Sequence, residues 1–200
     1  MKLIIATHNE NKVNEFRKLL NEKVTVLSLS DLNDFEDIIE DGKTFFENSK
    51  IKSLGISNKY EGYFVLADDS GIEIEELNNL PGIYSARYSG GGDIANNLKV
   101  LSELEGKTNR KARFICHLTL AYNGKLLNDY LGVWEGTITN EIKGSNGFGY
   151  DSIFIPEGLN ITAGEMDRDL KNSMSHRNIA TLKFVNDFLN NKYLWYNILD

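Results

Sequence analysis

The chain has 200 residues, 41% of them hydrophobic and 26% charged, with a formal net charge of −7. That size fits a single domain of two lobes sharing a core, and the acidic balance argues against nucleic acid or any other long polyanion as a partner. No apolar run approaches the ~18 residues of a membrane span. One cysteine, Cys116, and three histidines rule out an intrachain disulfide and argue against a structural zinc site.

The opening MKLIIATHNENK has too short an apolar run for a signal-peptide core. A cytoplasmic protein with no membrane partner is therefore expected. KLIIAT (2–7) reads as a buried strand, and Val13, Phe16 and Leu20 in NENKVNEFRKLLN (9–21) then recur at helical spacing. Strand, polar turn and helix open an α/β unit. TVLSLSDL (25–32) predicts a second short strand. DGKTFFENSKIKSLGISNKY (41–60) predicts a helix with a capping box, Thr44 as N-cap and Glu47 reaching back.

YFVLADD (63–69) is another buried strand, and period-two alternation follows in GIEIEEL (71–77). GGDIANNLKVLSELEG (91–106) predicts a helix capped by Asp93, with Ile94, Leu98 and Leu101 on one face. ARFICHLTLAYN (112–123) and KLLNDYLGVWEGTIT (125–139) flank Asn123-Gly124, a strong hairpin signal, and place Cys116 in a buried strand. GSNGFGYDSIFIPEG (144–158) reads as a glycine-rich loop feeding a strand, and a last helix runs from about Ser175 through ATLKFVNDFLNN (180–191). The fold class is mixed α/β, with long antiparallel strands in the middle and helices outside.

Four stretches carry candidate chemistry. In THNENK, Thr7 and Asn9 lie where a strand gives way to a helix. Free N–H groups at such a start can hold an anion, with Lys12 adding charge; the alternative is that Asn9 caps the helix and Lys12 is solvated. The adjacent Asp68 and Asp69 fall at the end of the YFVLA run. Beyond the carboxyl ends of strands α/β sheets bind ligands, and paired carboxylates suit Mg²⁺; the alternative is a turn capped by Asp68. Upstream, Glu36, Glu40 and Glu47 are acidic. Glu47 is used in capping, so Glu40 is the one freer to reach a metal, against a solvated face for all of them. Glu73–Asn79 reads as solvated alternation.

GSNGFGYD lacks the dinucleotide-binding glycine spacing. Glycines around Phe148 and Tyr150 instead suggest an open loop with an aromatic face for a nucleobase, or aromatics that return to the core. In DLKNSMSHRN, Ser175 is a plain N-cap, while Lys171, His176 and Arg177 are donors to an oxygen acceptor. No G-x-S-x-G elbow is present, which argues against a Ser-His-Asp hydrolase.

In this order, THNENK, EDGKTFFENS, ADDSG, PGIYSARYSG, GFGYD and SHR resemble the inosine/xanthosine triphosphate pyrophosphatase family across nearly the whole chain. The resemblance implies an elongated mixed sheet with helices around it and two lobes forming a central cleft. It implies a Mg²⁺-dependent homodimer that converts non-standard purine nucleoside triphosphates (ITP, dITP, XTP) to monophosphate and pyrophosphate. Carried over by position, Thr7, His8, Asn9, Glu10, Asn11 and Lys12 would cradle the triphosphate, with Lys52 adding charge and Ser70 touching phosphate. Asp69 would be general base and metal ligand, with Asp68 and Glu40 supporting the ion. Phe148, Gly149, Tyr150 and Asp151 would form the base pocket, completed by Lys171, His176 and Arg177. Two positions depart from the pattern: Ser152 stands where proline usually follows GFGYD, and Asn178 where glycine commonly follows SHR. Rival readings are a Maf-like pyrimidine nucleotide pyrophosphatase and a nucleotide-binding module without hydrolysis. PGIYSARYSG serves as a marker of the resemblance, and Arg87 within it is expected near the cleft.

Overall fold

A computed structural model describes residues 2–20 and 24–190. In chain order the strands and α-helices are β1 (Lys2–Ile5), α1 (Glu10–Leu20), β2 (Thr25–Ser28), α2 (Phe45–Lys59), β3 (Phe64–Ile74), β4 (Leu80–Pro81), α3 (Asp93–Glu103), β5 (Lys111–Tyr122), β6 (Lys125–Ile138), β7 (Phe154–Pro156), α4 (Arg168–Met174) and α5 (His176–Asn190). Position 191, the expected end of the last helix, lies outside the described residues. The class is mixed α/β, as the sequence predicts. Six strands form one sheet in the order β2-β1-β3-β5-β6-β7, and β4 pairs with β3. β1 lies parallel to both β2 and β3. Parallel strands are commonly covered on both faces, and here Leu3, Ile4 and Ile5 are all fully buried, which fits their uninterrupted apolar run.

The chain divides into two compact units: Met1–Asp69, His117–Gly132 and Asn178–Asp200 in the first, Ser70–Cys116 and Val133–Arg177 in the second. The core of the first gathers Ile4, Ala6, Leu29, Ile56, Val65 and Ala67. That of the second gathers Ile72, Val100, Phe114, Trp134, Tyr150 and Phe154, among others. No helix among the described residues is long and apolar enough to cross a membrane.

Local signals hold in most places. Val13, Phe16 and Leu20 are the buried face of α1. The Thr44 hydroxyl accepts from Glu47 N at 3.1 Å, while the Glu47 carboxylate accepts from Lys43 N, one residue further back than the usual box. The β5–β6 turn has positive φ at both Asn123 (46°) and Gly124 (72°), as a tight hairpin turn demands. Cys116 is fully buried.

Three expectations change. The second strand stops at Ser28, and Ser30–Leu32 is a 3-10 turn, because the Asp31 carboxylate accepts from Ser28 N and Ser28 Oγ accepts from Asp31 N. Asp93 is the first residue inside α3 rather than its cap, which is Gly92. Two of the three residues of the predicted apolar face of α3 are turned outward, Ile94 at 70% and Leu98 at 55% exposed, while Leu101 packs against the core and Asn96, Asn97 and Val100 are buried. The asparagines face inward because each makes several hydrogen bonds there. Asn96 accepts from Ser89 N and donates to Ser85 O and Ala86 O, and Asn97 donates to Gly149 O and Ser152 Oγ. Specific bonds here outweigh the ~1.5–3 kcal/mol that burying one more aliphatic side chain brings.

Candidate active site

Asp68 and Asp69 lie inside the continuous strand β3, beyond its parallel pairing with β1, whose last register pair is Ile5 with Leu66. Neighbours in a strand point to opposite faces, so the two carboxylates are directed apart and each meets its own lysine. Asp68, fully buried, sits 3.1 Å from Lys12 Nζ on α1. Asp69, 9% exposed, accepts from Asn48 Nδ2 at 3.0 Å and lies 3.7 Å from Lys52 Nζ. Lys52 Nζ also donates to Glu40 at 2.9 Å. Asn48 and Lys52 are one turn apart on α2, so a single helical face addresses Asp69.

Burial pulls the Lys52 ammonium down, but Asp69, Asp68 and Glu40 outweigh it and hold the group above its ordinary value. For Asp69 the balance tips the other way. Burial pushes its carboxyl up, and Lys52, Lys12 and the Asn48 hydrogen bond only partly reverse this, with Glu40 adding to the rise. The outcome is a charged lysine beside a carboxylate made more basic than an exposed one, which favours a proton acceptor.

Around THNENK the structure shows capping. The Asn9 side chain accepts from Asn11 N at 3.0 Å and Lys12 N at 3.3 Å, and the Thr7 hydroxyl accepts from Asn9 N at 3.2 Å. Glu10 accepts from Ser30 Oγ, and His8 Nε2 meets Glu36 O at 3.0 Å. Several N–H groups of this start are thus held by neighbouring side chains.

In the second unit, Asp151 organises the GFGYD loop. Its Oδ2 accepts from Phe148 N at 2.9 Å and from Lys171 Nζ at 2.6 Å. Gly147 has φ +79°, and a Cβ there would lie 2.0 Å from Asp151 Oδ2, so this turn needs glycine. Lys171 Nζ lies 4.9 Å and the Arg177 guanidinium 6.0 Å from the Phe148 ring centre, both within cation–π range. Arg177, 2% exposed, donates to Ser70 Oγ at 3.0 Å. The ring of His176 stacks on Phe114 at 4.8 Å and 9°, with Trp134 at 6.4 Å. Tyr150 is a core residue whose hydroxyl donates to Ser85 O at 2.7 Å. Phe148 alone of the loop's two aromatics therefore stays half-exposed.

Two groups escaped the sequence reading. Asn48 holds Asp69, and its one signal was its place a turn before Lys52. Ser85 ties PGIYSARYSG into the second unit: its Oγ accepts from Ile72 N and donates to Gly82 O, and its carbonyl accepts from Tyr150 and Asn96. Nothing in its spacing announces this. Arg87 is exposed, its guanidinium 5.2 Å from the Tyr84 ring. A separate groove of about 590 Å³ in the second unit is lined by Glu73, Arg113, Glu135 and Ile155, among others, and by none of the predicted site residues. Arg113 makes two bonds to Glu73 there, as in a charged ladder on a sheet face.

Among the described residues no group of three or more His, Cys, Asp or Glu is gathered to hold a metal unaided. Mg²⁺ commonly needs only one or two carboxylates when phosphates and waters supply the rest. Glu40 and Asp69, both on Lys52, are hard oxygen donors of that kind.

The first unit thus presents a strand-borne pair of carboxylates with lysines on the helices beside it, groups suited to an anionic ligand, and the second unit separately presents a loop with a half-exposed aromatic ring. The chain belongs to the Ham1 family, whose model matches residues 3–187. It is 43% identical over 186 residues to a dITP/XTP pyrophosphatase of Clostridium tetani, covering 90% of this chain and 92% of that one. With one of an Exiguobacterium species, also named dITP/XTP pyrophosphatase, it shares 46% over 186 residues, covering 92% and 94%. Among solved structures, a HAM1 protein from Coxiella burnetii superposes with a TM-score of 0.87 at 36% identity, covering 95% of this chain and 99% of that one. The Staphylococcus aureus Ham1 protein gives 0.86 at 35%, covering 96% and 100%.

Proposed function

We propose that the chain hydrolyses non-standard purine nucleoside triphosphates (dITP, XTP and ITP) to monophosphate and pyrophosphate. The observation that carries this is the Asp69 cluster: a buried carboxylate made more basic by burial, held by Asn48 and flanked by Lys52. The names of its relatives, at this identity and coverage, support the same reading.

Asp69 takes the proton of a water that attacks the α-phosphorus, and pyrophosphate leaves. Lys52 and Lys12 lie beside the carboxylates and offset the charge of the phosphates. Asp69 and Glu40, with Asp68 in support, would hold Mg²⁺, which neutralises phosphate oxygens and polarises the phosphoryl group. Phe148 offers a ring for the base to stack on. His176 and Arg177 donate to an oxygen at purine C6, which hypoxanthine and xanthine carry; the amino group of adenine would leave buried donors unpaired at ~1–3 kcal/mol each. A homodimer is part of the same proposal, and analytical ultracentrifugation reads it directly.

Pyrophosphate release measured on dITP, XTP, dATP, dGTP, dTTP and UTP, with and without Mg²⁺, tests the reading. Release from dITP and XTP that needs Mg²⁺ is expected. A preference for dTTP or UTP would transfer the protein to the Maf-like rival. Thermal stabilisation by dITP with no pyrophosphate would make it a binding module.

A further inference from the structure

The first turns of α3 reach the loop that carries Phe148 through one exposed and one buried side chain. Asp93, the first residue of α3, accepts from Gly149 N at 2.7 Å, a distance typical of bonds to a charged acceptor. Asn97, one turn further on, donates to Gly149 O at 3.1 Å. One helix therefore grips a single peptide residue by both its N–H and its C=O. That residue sits at φ +64°, and a Cβ added to it would meet no atom within 4 Å, so its backbone conformation and not lack of space is what calls for glycine.

Asn97 Nδ2 also donates to Ser152 Oγ at 3.0 Å. Ser152 is the position at which the family resemblance expects proline. A proline stiffens a chain by fixing φ; here a hydroxyl tied to α3 holds the same point by a hydrogen bond. Asn97 is 3% exposed, and its Oδ1 has no partner among the described residues. An amide buried with its acceptor unused is a poor choice for stability alone; its value lies in its two donors.

We propose that Asp93 and Asn97 are positioning residues that set the base-binding loop through Gly149, with Ser152 as the third point of the clamp. The inference rests on the functional reading above, because the loop matters only if Phe148 receives a base. Neither side chain belongs to the Asp69 cluster, so loosening the clamp should weaken substrate capture and leave the chemical step alone.

The test is steady-state hydrolysis of dITP by the wild type, Asp93→Ala, Asp93→Asn and Asn97→Ala, with hydrogen exchange followed across residues 144–153. Asp93 is exposed, so its variants should fold even if Asn97→Ala does not. Loss of the bond in Asp93→Ala should raise KM about tenfold with kcat within about twofold, and speed exchange in the loop. Asp93→Asn keeps an acceptor oxygen and should restore both. A wild-type KM in Asp93→Ala, an equal fall in kcat, or failure of Asp93→Asn to restore KM overturns the inference. A wild type that releases no pyrophosphate from dITP overturns the functional reading itself, and this inference with it.

Discussion

The two units place their candidate groups by different means. In the first, Asp68 and Asp69 stand on a strand and Lys12, Asn48 and Lys52 on helices, so regular backbone fixes the side chains and charge pairs do the rest. In the second, Phe148 stands on a loop that folds back through positive-φ glycines and is held by Asp151, Asp93 and Asn97. The lesson is one of tolerance. A group on a rigid element fails when its own chemistry is removed. A group on a tethered loop fails when any tether is cut, even one far from the ligand.

The sharpest way to break this contrast is Asp69→Asn. It keeps shape and removes the proton acceptor, so kcat for dITP should fall by roughly 100-fold or more with little change in KM; near-normal turnover would take the base assignment away. Lys171→Ala should damage the second unit as a structure, because it leaves the buried Asp151 without its ammonium partner. Urea unfolding should lose about 3 kcal/mol or more, and a loss near zero would mean that the pair is solvated in practice. Arg177→Lys keeps the charge but not the fork, and its effect should appear in selectivity. The dITP/dATP ratio of kcat/KM should drop about tenfold, and an unchanged ratio would place discrimination elsewhere.

Smaller effects come from acid. Because burial raises the Asp69 carboxyl above the ordinary 3.8, the base is protonated, and activity lost, at a higher pH than an exposed aspartate would allow. The acidic limb of kcat/KM should therefore lie above that value and vanish from the residual activity of Asp69→Asn. Asp34 shifts in the opposite direction. Burial pushes it up, but hydrogen bonds from Lys59 and Tyr60 outweigh this and lower it. Its contribution to stability is present above the ordinary carboxylate pKa and is lost as pH falls through the lowered one. Asp34→Asn should therefore flatten the acid side of the stability profile, read by melting temperature between about pH 3 and 6.

Much of the first unit was legible because its signals are local. The strand–cap–helix opening, the Thr44 box and the Asn123-Gly124 turn each depend on residues within a few positions of one another. The carboxylate pair was visible as chemistry, but not its resolution. Only alternation along β3 directs Asp68 to Lys12 and Asp69 to Lys52. The second unit was harder to read. The apolar residues of α3 gave a plausible inner face, and the structure kept only Leu101 of it and turned Ile94 and Leu98 outward, because Asn96 and Asn97 find partners 7 to 55 positions away in sequence. Tyr150 looked like a ligand-facing aromatic until its hydroxyl found Ser85.

Sequence by itself determined the α/β class, the family, the Thr44 and Asn9 caps and the Asn123-Gly124 turn, and the residue types that chemistry on a triphosphate requires. These follow from short-range periodicity, from glycine and proline geometry, and from motif identity. Tertiary structure alone decided which lysine meets which aspartate, which face of α3 is inside, and what holds the Phe148 loop. Those outcomes depend on competition between burial and specific hydrogen bonds among residues distant in the chain, and that competition is settled only when the elements pack.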